Sequence, residues 1–237
     1  RSQHGNDFKT FAYGKTPTSI KVPFMASGVL NLLLLQDTLR IKKQIVPPDS
    51  APPVMFEEET PKKYIIRSQP TDSLLKPMMH RSDNFFAEQS LLMVSNEMLG
   101  VMSDARIIDT LLKTDFNDLP QKPRWVDGSG LSRYNLFTPQ DMVAILNKMQ
   151  AEFGMDRLKE IFPAGNEGTL TNYYNAGKGY LFAKTGTLSG VVALSGFLYT
   201  KQNKLLIFSV LVNNHQASAT AVRRAVEKFI EGVREKF

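Results

Sequence analysis

Two apolar runs, residues 191–199 and 205–212, flank the polar stretch Thr200-Lys-Gln-Asn-Lys204. Runs of this length around a short polar link read as an antiparallel hairpin with a solvated turn. The clearest period in the chain follows. Val222, Ala225, Val226, Phe229, Ile230, Val233 and Phe237 recur at helical spacing, with Arg and Glu between them. A sheet face must be buried, and an amphipathic helix just after the hairpin supplies the cover. The expectation is an α/β (α+β) fold, an antiparallel sheet covered by helices.

Upstream the pattern is helical. Residues 28–41 place Leu32, Leu35 and Leu39 on one face and Gln36, Asp37 and Arg40 on another. Pro47, Pro48, Pro52, Pro53 and Pro61, with the acidic residues 57–59, predict an irregular surface connection. Residues 64–67 are a short strand candidate. From Thr71 onward the chain turns helical and apolar. Residues 85–99 carry Phe86, Leu91, Leu92, Val94 and Met98 among strong helix formers, which predicts a buried helix. Thr138-Pro139 opens another, with Thr as N-cap, Pro at the first helical position and Asp141 in the first turn. These segments make a helical subdomain beside the sheet.

Composition removes several classes of function. The chain has no cysteine, so disulfides, thiolate catalysis and Cys-ligated zinc are excluded. His4, His80 and His215 show no metal-binding spacing and read as structural or surface residues. The formal charge of +6 comes from scattered Lys and Arg, in pairs at densest, without a nucleic-acid-reading motif. Nucleic acid is therefore not an expected partner, whereas an anionic wall polymer or membrane surface is compatible with the charge. The longest apolar run, 29–35, is broken by Asn31 and falls far short of the ~20 residues that span a bilayer. Any targeting segment is expected upstream of Arg1.

Two short motifs could carry chemistry. Lys184-Thr-Gly-Thr187 enters the first strand of the hairpin after a glycine-rich loop. A lysine beside two threonine hydroxyls makes a compact anion site, and Gly186 between them lets a substrate backbone approach. Taken singly, the triplet also fits a turn lysine at a strand start. Ser82-Asp-Asn84 precedes the 85–99 helix and taken singly fits an ordinary helix cap. Ser-x-Asn followed 102 residues later by Lys-Thr-Gly is, however, the order of the second and third motifs of serine penicillin-binding proteins and β-lactamases.

The similarity extends to the segments Arg81–Glu88, Asp127–Arg133 with Thr138-Pro139, Glu167–Leu170 and Ala183–Gly190. In this order they resemble the class C penicillin-binding proteins, the D-alanyl-D-alanine carboxypeptidase/endopeptidases, from about Val29 to the end. The resemblance implies a transpeptidase-like catalytic domain, incomplete at its N-terminus, over residues 25–237. Residues 1–24 would be the tail of an inserted accessory region. Ser82 would relay a proton to the leaving amine, and Asn84 would hold the substrate's peptide carbonyl. Lys184 would supply positive charge to the substrate carboxylate and the proton network. Thr185 and Thr187 would bind the terminal carboxylate, and the Thr187 N–H would form half of an oxyanion hole. Asp127–Arg133 is expected to be a structural turn with Asp127 and Arg133 as a candidate pair. The implied partners are peptidoglycan stem peptides and β-lactams, the implied location is periplasmic or otherwise extracytoplasmic, and no metal or organic cofactor is implied.

This chemistry needs a Ser-x-x-Lys, and one match exists, Ser73-Leu-Leu-Lys76. Pro77 is expected to take Lys76 out of helical conformation, away from Ser73. The nucleophile is therefore expected on an upstream segment of a parent protein. Two rivals remain at this level. One is a non-catalytic peptidoglycan-binding module. The other is an α/β-hydrolase using Ser132, Asp141 or Asp156, and His215, although Tyr134 stands where that fold's elbow needs a glycine.

Overall fold

The hairpin is part of a three-stranded antiparallel sheet in a computed structural model that describes residues 68–175 and 178–237. The readings for the 28–41 helix, the 64–67 strand and the boundary at residue 24 lie outside the described residues. The strands are β1 (Leu181–Leu188), β2 (Val191–Tyr199) and β3 (Leu205–Asn213), in the order β1-β2-β3. Lys-Thr-Gly was expected at the entry to the hairpin. It lies instead in the middle of the separate strand β1, with Lys184 opposite Ser195 and Gly186 opposite Ala193. The polar tetrapeptide breaks the apolar run that would have announced this strand.

Strand pleating sends alternate residues to opposite faces. Leu181 and Ala183, with Leu194 and Leu198 of β2, face the helix α5 (Ala219–Lys236) through Val226 and Ile230. Phe182 and Phe197 face the opposite helix, α4 (Pro139–Ile161), and meet Leu146, Leu158, Ile161 and Phe162. The sheet is thus a middle layer with a helix on each side. The phenyl rings of Phe162 and Phe197 meet edge-on at 5.7 Å in the second core.

The α5 stripe is narrower than its sequence period suggested. Val226 and Ile230 are buried, whereas Phe229 is 60 % exposed and Ala225 also faces away. A single flat sheet face covers only one side of a helix, so apolar residues beyond that arc stay outside. Thr138 and Asp141 form the expected capping box at the start of α4. That helix runs to Ile161, broken at Gly154, where φ is 71°.

The helical part comprises α1 (Asp72–Arg81), α2 (Asn84–Leu99) and α3 (Asp104–Lys113). The 85–99 helix forms, yet it is not buried as expected. Only Leu91 and Ser95 are enclosed, and Phe85 is 66 % exposed. Its apolar residues are distributed around the helix, so packing Leu91 on Ile107 and Ile108 of α3 leaves the others outside. The Ser95 hydroxyl bonds the carbonyls of Val101 and Ser103 and tightens the turn between the two helices.

One glycine decides how closely β1 and β2 lie. A Cβ at Gly196 would stand 2.2 Å from the Phe182 carbonyl oxygen and 2.6 Å from Ala183 Cα, both rigid backbone. Gly196→Ala is expected to cost about 3 kcal/mol, the upper end for forcing atoms into a packed site. Gly232→Ala, inside α5 with open space around it, is expected to stabilise by up to about 1 kcal/mol. Denaturant unfolding of both variants checks the pair, and equal effects would refute the close approach.

Candidate active site

β1 is an edge strand whose outer side is only partly covered. The Ala183 N–H donates to the Pro163 carbonyl, and the Gly165 N–H donates to the Leu181 carbonyl. Main-chain groups alternate in direction along a strand, so those of Thr185 and Thr187 point to the same outer side. Past Ala183 that side has no main-chain partner among the described residues. The edge is open where the Lys-Thr-Gly-Thr motif lies.

The pleat divides the motif's side chains. Lys184 goes to the α4 face, towards the junction of α1 and α2. There α1 ends at Ser82 in left-handed conformation, φ 53° and ψ 53°, and Asp83 caps α2 by accepting the Phe86 N–H at 3.1 Å. The reading of Ser82-Asp-Asn84 as a helix cap therefore holds for Asp83. The same turn also presents the Ser82 hydroxyl to Lys184, whose Nζ donates to Ser82 Oγ at 2.8 Å and to the Thr185 carbonyl at 2.7 Å. A serine in this backbone region costs on the order of 1 kcal/mol. Burial without a countercharge lowers the Lys184 ammonium to about 8. Asn84 opens α2 with an exposed side chain.

Thr185 and Thr187 go to the α5 face. Thr185 Oγ1 donates to Thr169 Oγ1 at 2.8 Å. Thr169 belongs to the short 3-10 turn Gly168–Leu170, which packs directly on the end of α1. A Cβ at Gly168 would lie 2.5 Å from the His80 carbonyl oxygen, and the φ there is +51°, so only glycine allows this contact. His80 is half-buried at that contact, and burial pushes its imidazole below the usual range. The Thr187 hydroxyl accepts from Arg223 Nη2 of α5 at 2.6 Å. Gly186 has a packing role as well as leaving space at the edge, because a Cβ there would crowd that of Ala193 at 3.2 Å.

Thr169 and Arg223 were not singled out from the sequence. Thr169 lies within a segment that resembled the family, without a role. Arg223 looks like any charged residue of an amphipathic helix until α5 is docked.

The Asp127–Arg133 loop is structural, but by different bonds from those expected. Asp127 accepts from the N–H groups of Gly130 and Ser132 and from the Asn135 amide. Glu88 of α2 accepts from the N–H groups of Gly128 and Ser129, each at 3.0 Å. Arg133 does not pair with Asp127, since its guanidinium donates to the Ser189 carbonyl beyond the end of β1. Both Asp127 oxygens are already engaged by donors of its own loop.

The hydrolase alternative finds no triad. Ser132 Oγ accepts from the Tyr134 N–H, His215 Nδ1 contacts the Ala217 carbonyl, and Asp141 is enclosed in the α4 cap. For Ser73 and Lys76 the expected break at Pro77 is not found. Helix α1 continues through Pro77, so Lys76 remains helical, but its Nζ reaches Glu160 at 3.3 Å instead of serving Ser73. Among the described residues no group of three or more His, Cys, Asp or Glu could hold a metal ion.

The layered fold is shared with solved structures. Penicillin binding protein 4 (dacB) of Haemophilus influenzae superposes with a TM-score of 0.61 at 26% identity, covering 71% of this chain and 41% of that one. The TLA-1 extended spectrum β-lactamase shares the fold alone, with a TM-score of 0.50 at 15% identity over 69% of this chain and 62% of that one. The fold class is therefore that of the penicillin-binding proteins and β-lactamases. Residues 57–233 match the model of the D-Ala-D-Ala carboxypeptidase 3 (S13) family, and the chain belongs to that family. The D-alanyl-D-alanine carboxypeptidase DacB of Haemophilus influenzae is 31% identical over 62% of this chain and 33% of its own length. The D-alanyl-D-alanine carboxypeptidase of Actinomadura sp. is 33% identical over 65% of this chain and 30% of its own. The chain spans about a third of the length of these relatives.

The lowered Lys184 value has a sign that can be measured. The folded chain releases this proton near pH 8, whereas an unfolded lysine holds it to about 10.4. The desolvation penalty is thus fully present below pH 8 and relieved as pH rises towards 10.4, so this group's contribution favours folding more at alkaline pH. A 13Cε titration is expected to show Lys184 with a midpoint near 8, shifting upward on unfolding. A midpoint above 10 in the folded chain would refute its burial.

Proposed function

We propose that this chain carries the substrate-gripping side of a serine-type D-Ala-D-Ala carboxypeptidase that acts on peptidoglycan stem peptides. The observation that carries this reading is the Lys184–Ser82 hydrogen bond beside the open edge of β1. An extended peptide can add to that edge, exchanging main-chain bonds with Thr185 and Thr187. The Thr187 N–H then points at the carbonyl under attack and supplies half of the oxyanion hole. Asn84, at the mouth of α2, holds the neighbouring amide carbonyl.

The reaction is an acyl transfer in two steps. A serine hydroxyl attacks the carbonyl of the D-Ala-D-Ala bond, an ester forms, and the terminal D-Ala leaves as its amine takes a proton. Water then hydrolyses the ester. Ser82 can pass that proton because a hydroxyl both donates and accepts, and Lys184 at about 8 exchanges protons close to neutrality. The attacking serine lies outside the described residues, on a segment preceding those that resemble the family. A β-lactam reacts at the same place because its strained amide presents the same carbonyl to the same serine. A peptidoglycan substrate implies a periplasmic or otherwise extracytoplasmic location. Its basic charge there suits anionic wall polymers or a membrane surface. Supporting the reading are the family match, the fold and the hydrogen bond that joins the two motifs.

A fluorescent penicillin tests it. Covalent labelling is expected of a longer protein that includes the upstream Ser-x-x-Lys segment, and no stable adduct on this 237-residue chain alone. A penicillin-sized mass increment on Ser73 would overturn the assignment of the nucleophile. In the longer protein, Ser82→Ala and Lys184→Met are each expected to slow acylation about a hundredfold, the scale of one positioned proton-transfer group. Ser132→Ala should leave it unchanged. Reversible binding without acylation in the longer protein would favour a non-catalytic peptidoglycan-binding module.

A further inference from the structure

We propose that a cationic pocket at the end of the sheet where β1 begins binds the phosphate group of a phosphorylated sugar or polyol. The pocket encloses about 290 Å³ and is lined chiefly by Lys159, Tyr180, Tyr199, Thr200, Asn203 and Arg234. It shares no residue with the Lys-Thr-Gly-Thr edge. Along an extended chain Tyr180 and Lys184 stand about 13 Å apart.

No carboxylate lines the pocket, and tyrosine faces hold its two cations instead. The Arg234 guanidinium carbon lies 3.8 Å from the centroid of the Tyr180 ring, and Lys159 Nζ lies 4.8 Å from that of Tyr199. An aromatic face fixes a cation without neutralising it. Each cation also sits in the last turn of its helix, α4 or α5, where the helix dipole favours positive charge. Lys159 forms no ion pair among the described residues.

The Arg234 side chain is only 24 % exposed, and its Nε is buried without a hydrogen-bond partner among the described residues. Its acidic contact there, Glu235 Oε1 at 3.7 Å from Nη1, is too long for a hydrogen bond. Glu235 is engaged by Lys201, and Glu227 by Arg224. Glu231 of α5 acts on the Tyr180 phenol but does not line the pocket. A buried guanidinium donor left without an acceptor is costly, and a bound anion removes that cost.

A phosphate brings several oxygens to one point, so that a guanidinium fork and an ammonium can donate to it together. The rest of the lining suits the hydroxyls of a sugar or polyol. Thr200 Oγ1 accepts from the Lys204 N–H at 3.1 Å, which leaves its own proton free to donate, and the exposed Asn203 amide both donates and accepts. No aliphatic side chain lines the pocket, so the acyl chains of a phospholipid would have nothing to rest on.

The experiment titrates the 237-residue chain with glucose 6-phosphate, inorganic phosphate and glucose, and follows its amide resonances by NMR. Glucose 6-phosphate is expected to shift Thr200 and Asn203 with a Kd on the order of 1 mM. Inorganic phosphate is expected to shift the same resonances several-fold more weakly, and glucose to shift neither. Arg234→Gln and Lys159→Gln are each expected to weaken the sugar phosphate about tenfold, the low end for a hydrogen bond to a charged group. Lys228→Gln removes the same charge from an exposed position of α5 and is expected to leave binding unchanged. General attraction to a basic chain would weaken all three variants alike, and that result would overturn the proposal. So would the unmodified affinity kept in both Arg234→Gln and Lys159→Gln, or no shift at Thr200 and Asn203. Inorganic phosphate binding as tightly as the sugar phosphate would overturn it too, because the pocket would then read no hydroxyl.

Discussion

The ladder between β1 and β2 is the constraint on which the rest of the structure depends. Their register sets Lys184 opposite Ser195 and Thr187 opposite Val192, and the absence of a side chain at Gly196 lets the two backbones close. Once that register is fixed, the pleat assigns every side chain of β1 to one face, and a slip of one residue would exchange them all. Phe182 and Lys184 then belong to the α4 side, and Ala183, Thr185 and Thr187 to the α5 side. The core and the site are therefore specified by the same pairing, with apolar residues at the covered end of the strand and polar ones at the open end.

The two ends of the strand differ because of what covers its edge. Pro163 and Gly165 complete the hydrogen bonding of Leu181 and Ala183, so that half is closed. Beyond it the main-chain donors and acceptors of Thr185 and Thr187 await a partner, and an unpaired strand edge is a template for another strand. Natural proteins commonly blunt such edges. Here the edge is short, carries a half-buried lysine on one side and meets Arg223 of α5 on the other, and lies beside the turn that ends α1.

The separation of charge across the strand has a physical consequence. Lys184 lies in an environment that disfavours its ammonium, which brings it to about 8, where a proton can be gained and lost. The strand thus holds its titrating lysine against Ser82 on the α4 face, while the Thr187 hydroxyl meets the guanidinium of Arg223 of α5 on the other. The left-handed turn at Ser82 and the glycine contact of Gly168 with His80 hold the lysine's partner in place, at the cost of a strained residue.

Much of this was legible in the amino-acid order. The hairpin, the C-terminal helix, the Thr138 capping box and the family landmarks are local signals, since periodicity and capping depend on residues a few positions apart. The motif residues Ser82, Asn84, Lys184, Thr185, Gly186 and Thr187 were also identifiable, through their order along the chain. The sequence could not separate their directions. That Lys184 meets Ser82 while the threonine hydroxyls turn to α5 depends on the faces of β1 they occupy, and β1 itself was hidden because its polar motif interrupts its apolar run. Arg223, Thr169 and the true partners of Asp127 and Arg133 required long-range docking of α5, the 3-10 turn and the 127–133 loop. Burial was decided at the same level: Phe85 and Phe229 are as apolar as Leu91 and Ile230, and only packing against α3 or the sheet determined which were enclosed. The sequence alone determined the elements and the chemical groups available. Tertiary structure decided which groups meet, because the pleat of a strand and the arc of a helix that a sheet covers are set by neighbours far away in the chain.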